Sequence, residues 1–243
     1  MVEITSPDSF SIDNVPCSDV GLYCDTPPVQ SMQESRITEY RTGSDEDYAV
    51  DDDSYGDIQL KFVCYVFAPD NFDTSAVYQY LRSGKKLRYS RNSGYYYKIK
   101  DVKCSAVEKY DGKRLKYTIT FTVAPFKFID NEEVIELSSG GIVNGSGTRY
   151  SKPLYKLILG RQIAGSTFTV NGQQFIIDIP LDVTIADGIL YLDAENDIVY
   201  DKAGNNCMMY TTGDIQYMST GQNSISWTGD ITSVTIKRNG RCY

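Results

Sequence analysis

The sequence predicts a mainly β protein of two domains that contains one α-helix. Three observations lead to this prediction. Short segments that alternate apolar and polar residues recur along the chain, turns rich in Gly and Asn separate them, and a Gly/Ser-rich segment at 138–152 divides the chain. The length of 243 residues suits one large β domain or two ordinary ones. We predict an N-terminal domain over 1–137 and a C-terminal domain over 138–243. The alternative for 138–152 is a long hairpin loop within one domain.

The first regular element is predicted after an irregular, polar segment over 1–57. Residues 58–67 begin as an alternating strand, with Leu60, Phe62 and Cys64 on one face. This alternation is typical of a strand that buries one side against a core.

One helix is predicted next. Three apolar residues share the spacing of a single helix face: Val77, Tyr80 and Leu81. Asp73 or Thr74 is expected to cap the first turn, because a short oxygen-bearing side chain can accept hydrogen bonds from its free N–H groups. Gly84 is expected to end the helix in the left-handed conformation.

Two hairpins are predicted to complete the N-terminal domain. The first joins 86–91 to 95–102 through Asn92-Ser93-Gly94, and the second joins 106–110 to 115–124 through Asp111-Gly112. Pro125 is expected to break the ladder of the last strand, because proline has no backbone N–H.

The C-terminal half predicts an antiparallel sandwich. Phe168–Val170 and Gln174–Ile179 flank Asn171-Gly172, which is a strong hairpin signal because both residues accept positive φ. Further short strands follow at similar spacing, as in β-sandwiches. They are predicted at 189–192, 198–200, 223–227 and 231–237.

Composition argues against several classes of function. The formal net charge of −8 and the pI of about 4.7 indicate that the chain binds the phosphates of nucleic acids poorly, because such binding needs clustered positive charge. The absence of histidine removes the usual Ser-His-Asp and Cys-His catalytic arrangements and the commonest zinc ligand. No apolar run is long enough for a membrane-spanning helix, and the N-terminal residues predict no secretory signal. Neither a metal nor a cofactor is predicted.

The six cysteines predict buried or incidental thiols in a reducing compartment. They are scattered, and a chain of this length does not need disulfides to fold. Cys17 and Cys24 form the only short-range pair.

Four groups of residues are candidate sites. Asp193, Glu195 and Asp197 alternate as in a calcium loop, but the glycine and closing glutamate of such a loop are absent, so a solvated hairpin tip is the prediction. The glycines of 138–152 lack the lysine of a phosphate-binding loop, and carboxylate pairs are too common among 32 acidic residues to indicate a glycosidase. For the 20 tyrosines three roles are possible: stacking on sugar rings, contacts between subunits, and aromatic pairs within sheets.

Two groups of segments resemble the distal tail protein (Dit) family of long, non-contractile phage tails. In the first half they are residues 78–84, then 87–90, then 94–98, and the strand that ends at Ala124-Pro125-Phe126. In the second half they are 192–195, 213–218 and the Gly-x-Asn-x-Ile segment at 221–225. The similarity consists in the order and spacing of these segments and extends over nearly the whole chain, although the first 57 residues match poorly.

The resemblance implies a specific role. Family members form hexameric rings through an N-terminal β-rich domain and carry a C-terminal galectin-like sandwich. The ring joins the tail tube to receptor-binding or tail-associated proteins, and tape-measure protein and DNA pass through it. By this resemblance the chain is a structural, non-enzymatic tail-tip hub of a virion, made in a bacterial cytoplasm.

A cluster of acids is the candidate lining of the ring's channel, because like charge would keep DNA from adhering. Its members are Asp45, Glu46, Asp47, Asp51, Asp52 and Asp53. An outward, solvated loop is the alternative position.

The main alternative function is carbohydrate binding by exposed tyrosines on the sandwich. The candidates are Tyr40, Tyr48, Tyr55, Tyr95, Tyr96, Tyr97 and Tyr150. A surface enzyme with a carboxylate pair is a third hypothesis.

Overall fold

A computed structural model of the chain describes residues 8–32, 34–40, 48–67, 74–105, 107–109, 114–160 and 165–243. The chain forms two compact units, Met1–Lys127 and Phe128–Tyr243. The Gly/Ser-rich segment 138–152 lies inside the second unit, and part of it is a strand, Gly141–Asn144.

The first unit consists mainly of one antiparallel sheet. Its strands follow the order β2-β1-β8-β9-β11-β7-β3, while β10 pairs with β11, β4 pairs with β7, and β5 and β6 form a separate two-stranded hairpin. The strands are β1 (Phe10–Ile12), β2 (Val15–Pro16), β3 (Tyr23–Cys24), β4 (Val29–Gln30), β5 (Ser35–Tyr40), β6 (Tyr48–Tyr55), β7 (Ile58–Phe67), β8 (Lys86–Tyr89), β9 (Tyr95–Cys104), β10 (Glu108–Lys109) and β11 (Arg114–Ile129). A 3-10 turn spans Cys17–Val20, and helix α1 spans Ser75–Arg82.

The long strands β7 and β11 form the centre of this unit. They pair over ten residues, from Ile58 opposite Val123 to Phe67 opposite Arg114. Alternate residues of both strands are buried, as the sequence pattern predicted for Leu60, Phe62 and Cys64. The buried aromatic rings gather around Phe62, which is fully enclosed.

Helix α1 confirms the predicted helix and its buried face, but its ends differ from the prediction. Thr74 makes no side-chain capping bond, and Asp73 lies outside the described residues. Gly84 does not adopt positive φ. A Cβ there would instead collide with the side chains of Ile12 in β1 and of Asp13 just after it, so close packing rather than a left-handed turn favours glycine at this position.

Another prediction for this half was wrong. Residues 1–57 are not irregular throughout, because they contain β1 to β6. Four of these strands have only two or three residues, too few for an alternation to be visible. β1 pairs with β8, β2 with β1, and β3 and β4 with β7. The ladder between β11 and β7 ends at Val123, just before Pro125, although β11 itself continues to Ile129.

The second unit is a sandwich of two five-stranded antiparallel sheets. The strands are β12 (Ile135–Leu137), β13 (Gly141–Asn144), β14 (Leu154–Leu159), β15 (Ser166–Val170), β16 (Gln173–Ile177), β17 (Ile189–Asp193), β18 (Ile198–Asp201), β19 (Thr211–Thr212), β20 (Gln222–Thr228) and β21 (Ile231–Lys237). One sheet has the order β12-β21-β14-β17-β18 and the other β13-β20-β15-β16-β19. A further short strand, β22 (Arg241–Cys242), belongs to neither of these sheets, and 3-10 turns span Ala186–Gly188 and Met208–Tyr210.

The predicted hairpins and sandwich of this half are confirmed. Asn171 and Gly172 have φ of 52° and 82° and join β15 to β16 in a tight turn. The inward side chains of the two sheets make one continuous core, in which Tyr155 is fully buried and donates its hydroxyl to the Gln216 carbonyl at 3.0 Å.

Two glycines of 138–152 serve packing rather than flexibility. A Cβ on Gly145 would collide with the Ser219 carbonyl, and one on Gly147 would collide with the backbone of Arg241. Gly145 also donates its N–H to the Gly221 carbonyl at 2.8 Å. The glycines that made 138–152 look like a linker therefore allow its backbone to approach other backbone segments closely.

Gly145→Ala is expected to destabilise the second unit by about 1–3 kcal/mol, because backbone must move to admit the methyl group. Gly141→Ala is the matched control, since a Cβ there meets no atom closer than 4.0 Å. Urea unfolding followed by the fluorescence of Trp227, the only tryptophan, measures both variants. Equal midpoints for the two would contradict this explanation.

Within the described part of the chain, no helix has the length and apolarity needed to cross a membrane.

Candidate assembly surfaces

The acidic residues proposed for a channel are only partly described. Asp45, Glu46 and Asp47 lie outside the described residues, whereas Asp51, Asp52 and Asp53 belong to the backbone of β6. The structure therefore places three of the six on the β5–β6 hairpin, with Asp51 opposite Ile37.

The base of the β5–β6 hairpin is attached to the first unit by two contacts. Gly56 donates its N–H to the Glu34 carbonyl at 3.0 Å, and the Tyr55 ring packs edge-on against Phe126 with centroids 5.4 Å apart. Because Tyr55 packs on Phe126 in this way, its role is structural, as expected for an aromatic pair in a sheet.

An exposed apolar patch lies beside the edge strand β19 of the second unit. Its members are Ile176, Leu181, Met208 and Met209, and the exposed fractions of Leu181 and Met209 reach 86% and 78%. The pairing of β16 with β19, and the 2.8 Å bond from the Asp178 N–H to the Tyr210 carbonyl, bring these segments together. We call these four residues the β19 patch. Exposed apolar groups at a sheet edge are typical of surfaces that assembly covers.

Asp201 organises the loop that leads to the β19 patch. Its buried carboxylate accepts hydrogen bonds from the Ala203 N–H and the Asn205 N–H, both at 2.9 Å, and from the Asn205 side-chain amide at 2.9 Å. The side-chain hydrogen bond from Asn205 holds the pKa of Asp201 below its ordinary value of 3.8, although burial opposes this shift.

The second unit is expected to lose stability as pH falls below about 4. A carboxyl whose folded-state pKa is depressed contributes stability above its unfolded pKa, and this contribution disappears as pH falls through the folded value. Asp201→Ala should therefore be less stable than the wild type at pH 7 and should lose part of the acid dependence. Asp182→Ala, at an exposed acid, is the control. Thermal unfolding from pH 2.5 to 7 measures this, and parallel wild-type and Asp201→Ala profiles would contradict it.

The first unit also exposes apolar side chains near one edge of its sheet. Val29 on β4 is 71% exposed and Met32 just after it is 87% exposed. β4 is bonded to β7 opposite Lys61 and Leu60. Sequence reasoning missed this surface because the segment that carries it was predicted to be irregular.

Among the candidate tyrosines whose side chains the structure describes, none is an open platform of the kind that sugar stacking requires. Tyr95 is half-buried, with the Lys127 ammonium 5.7 Å from its ring centroid. Tyr96 and Tyr97 are buried in the sheet. Tyr150 stacks on Tyr217 with centroids 5.5 Å apart and lies 4.5 Å from the guanidinium carbon of Arg241. The ring of Tyr150 is thus contacted by groups of the protein itself. Tyr40 and Tyr48 have no described side chains.

A cleft of about 410 Å³ in the second unit gathers acidic and aromatic groups, including Glu195, Asp197, Asp214 and Tyr217. Its rim includes the tip of the β17–β18 hairpin. There Asp193 accepts the Glu195 N–H at 2.9 Å and so closes a polar turn, as the sequence predicted. Among the residues that the structure describes, no three His, Cys, Asp or Glu side chains are arranged to hold a metal ion.

Comparison with known proteins gives one kind of match. Neither a protein-family model nor a curated protein matches the chain. A solved structure that does match is the crystal structure of Dit (gp 19.1) from SPP1, described as a paradigm of the hub adsorption apparatus in Gram-positive infecting phages. The TM-score is 0.64 at 12% identity, and the match covers 94% of this chain and 97% of that chain. The chain therefore has the fold of that Dit protein over almost its full length, as its resemblance to the family predicted.

Proposed function

We propose that this chain is a structural hub protein at the distal end of a phage tail. The observation that carries the proposal is the match to SPP1 Dit over 94% of the chain, which includes both units rather than one common β-sandwich. A shared sandwich alone would be weak support, because one fold serves many functions. A match that extends over both the helix-containing sheet unit and the ten-stranded sandwich of this chain is far more specific.

In the proposed assembly, six copies form a ring whose members are held together through the first unit. The ring joins the tail tube to receptor-binding or tail-associated proteins, and tape-measure protein and DNA pass through it without specific binding. The chain would then be made in a bacterial cytoplasm and function in the virion. The exposed side chains of the β19 patch, and of Val29 and Met32, support assembly with other chains, because a monomer gains nothing from exposing them.

The mass of the purified protein in solution tests the ring. Light scattering is expected to give six or twelve times the chain mass of 27.3 kDa, and negative-stain images of the same fraction should show rings with a central hole. A mass that stays at 27.3 kDa across a wide concentration range, and also after addition of a tail-tube protein, would contradict the proposal.

We further propose that the six acids of 45–53 face the channel of the ring. The support is electrostatic: like charge repels a passing phosphate backbone and lowers its residence on the wall. Neutralising Asp51, Asp52 and Asp53 to Asn should increase the retention of short duplex DNA by the rings at low salt. The matched control removes three charges from exposed acids of the second unit, by Glu133→Gln, Asp182→Asn and Glu195→Gln. Equal retention by both variants, or a density map of the ring with these acids away from the axis, would contradict the proposal.

A further inference from the structure

Three thiols, two of them close in the sequence and one distant, meet inside the first unit. Cys17, Cys24 and Cys64 are each at most 4% exposed. The sulfur atoms of Cys24 and Cys64 lie 3.2 Å apart, and the Cys17 thiol is hydrogen-bonded to that of Cys24. All three are free thiols in this structure. Cys17 is therefore a neighbour of Cys24, as the short-range pair in the sequence suggested. Cys64, which is distant in the sequence, is a second neighbour on the adjacent strand.

The strand register makes the long-range pair suitable for a covalent bond. Cys24 on β3 lies directly opposite Cys64 on β7. The next residue, Asp25, donates its N–H to the Val63 carbonyl at 3.3 Å, which identifies 25 and 63 as a hydrogen-bonded pair. Cys24 and Cys64 therefore occupy the alternate, non-hydrogen-bonded position, where Cα atoms lie about 4.5 Å apart and side chains are closest. That separation falls within the range of disulfides.

We propose that Cys24 and Cys64 are an oxidation site at which a peroxide-class oxidant forms a cross-strand disulfide. One sulfur attacks hydrogen peroxide, the O–O bond breaks, and a sulfenic acid and one water form. The second thiol then displaces the sulfenic oxygen as a second water, and the S–S bond forms. The two thiols lose two electrons and two protons in total, and one peroxide becomes two waters. No other reactant is needed.

Access and register favour this pair. β3 has only two residues and lies at the end of the sheet, so it can open locally and admit a small oxidant. The pKa values of the Cys17 and Cys24 thiols are both raised, so thiolate formation does not choose between these two residues. Cys24 and Cys64 are favoured because they lie directly opposite each other, with their sulfur atoms 3.2 Å apart.

The bond would fix β3 to β7 and close a much longer chain loop than a Cys17–Cys24 bond would. Longer loops lose more conformational entropy in the unfolded state when they are cross-linked. The oxidised protein is therefore expected to melt roughly 5–10 °C above the reduced protein.

The test is titration of the purified full chain with hydrogen peroxide, followed by intact mass, peptide mapping without reduction, and thermal unfolding. The expected result is loss of two hydrogen atoms, a mapped Cys24–Cys64 link and the rise in Tm, all reversed by a dithiol reductant. A mapped Cys17–Cys24 link, sulfinic acids without a cross-link, or a link with no rise in Tm would overturn the proposal. These measurements use the wild-type chain and do not depend on ring formation.

Variants separate the pair from the other thiols. Cys24→Ala should abolish the cross-link and the oxidative rise in Tm, whereas Cys17→Ala and Cys104→Ala should keep both. Cys104 is the most accessible of the six cysteines, so its replacement also controls for non-specific oxidation. Loss of the cross-link in Cys17→Ala would show that Cys17 is the reacting partner and would contradict the assignment.

Discussion

Asn223→Asp is expected to destabilise the second unit by about 3–5 kcal/mol, although it changes only a side-chain NH₂ to an oxygen. Asn223 is fully buried. Its amide nitrogen donates to the carbonyls of Gly221 and Ser219 at 2.9 and 3.1 Å. A carboxylate there would face these carbonyls with a negative charge and no proton to donate, so attraction would become repulsion.

The amide oxygen of Asn223 explains why the residue cannot simply be removed. It accepts the Ser219 N–H at 2.8 Å and the Asn171 side-chain amide at 2.9 Å, and so ties β20 to the loop before it and to the β15–β16 turn. Asn223→Ala would leave these donors without their acceptor, and each unsatisfied buried group costs about 1–3 kcal/mol.

The matched control is Gln222→Glu, the same amide-to-acid change at an exposed position of the same strand. It should shift the urea midpoint little.

The loss of stability in Asn223→Asp should also become smaller as pH falls. Burial raises the folded-state pKa of the introduced carboxyl, and its protonated form can donate a hydrogen bond. Fluorescence of Trp227 on β20 reports both effects, and a deficit that grows in acid would refute this account.

Phe62→Ala is expected to cost the first unit about 3–5 kcal/mol, the range for removing a buried phenylalanine ring. The Phe62 ring contacts Phe10, Tyr89 and Phe121 at centroid distances of 4.9, 5.8 and 5.8 Å. These rings come from β1, β8 and β11, so the cavity would weaken the packing of four strands together.

Phe67→Ala is the control on the same strand. Phe67 is 51% exposed and contacts the Tyr23 ring at 6.0 Å, so its loss should cost less than about 1 kcal/mol. Hydrogen exchange of peptides that cover β7 and β11 measures the two variants directly. Similar exchange rates in both would show that the aromatic cluster is not the main support of this sheet.

The elements that were predictable from the sequence are those whose signal is local. The face of α1 was visible in Val77, Tyr80 and Leu81, and the β15–β16 hairpin in Asn171-Gly172. By contrast, β1 to β4 have two or three residues each and form by pairing with other strands, such as β1 with β8 and β4 with β7. A contact partner distant in the chain leaves no periodicity to detect.

The same distinction applies to the candidate surfaces. The acids of 45–53 could be singled out as a charge run, but their position in a ring depends on partners, and so it stays a prediction. The sequence singled out Asn223 only as part of the Gly-x-Asn-x-Ile segment, without indicating what its side chain does. That role arises where the loop before β20 and the β15–β16 turn converge on one amide.

The pairing of the first strands of the sandwich with its last ones has a consequence during synthesis. β12 pairs with β21 and β13 with β20, so the partner of each strand is synthesised roughly 80 to 100 residues later. At bacterial-scale rates of about 5–20 residues per second, that delay is roughly 5–20 s on the ribosome. A product cut short before β20 would expose both unpaired strands and a half-formed core, and it would be cleared or would aggregate. Incomplete chains would therefore be kept out of any assembly by their failure to fold.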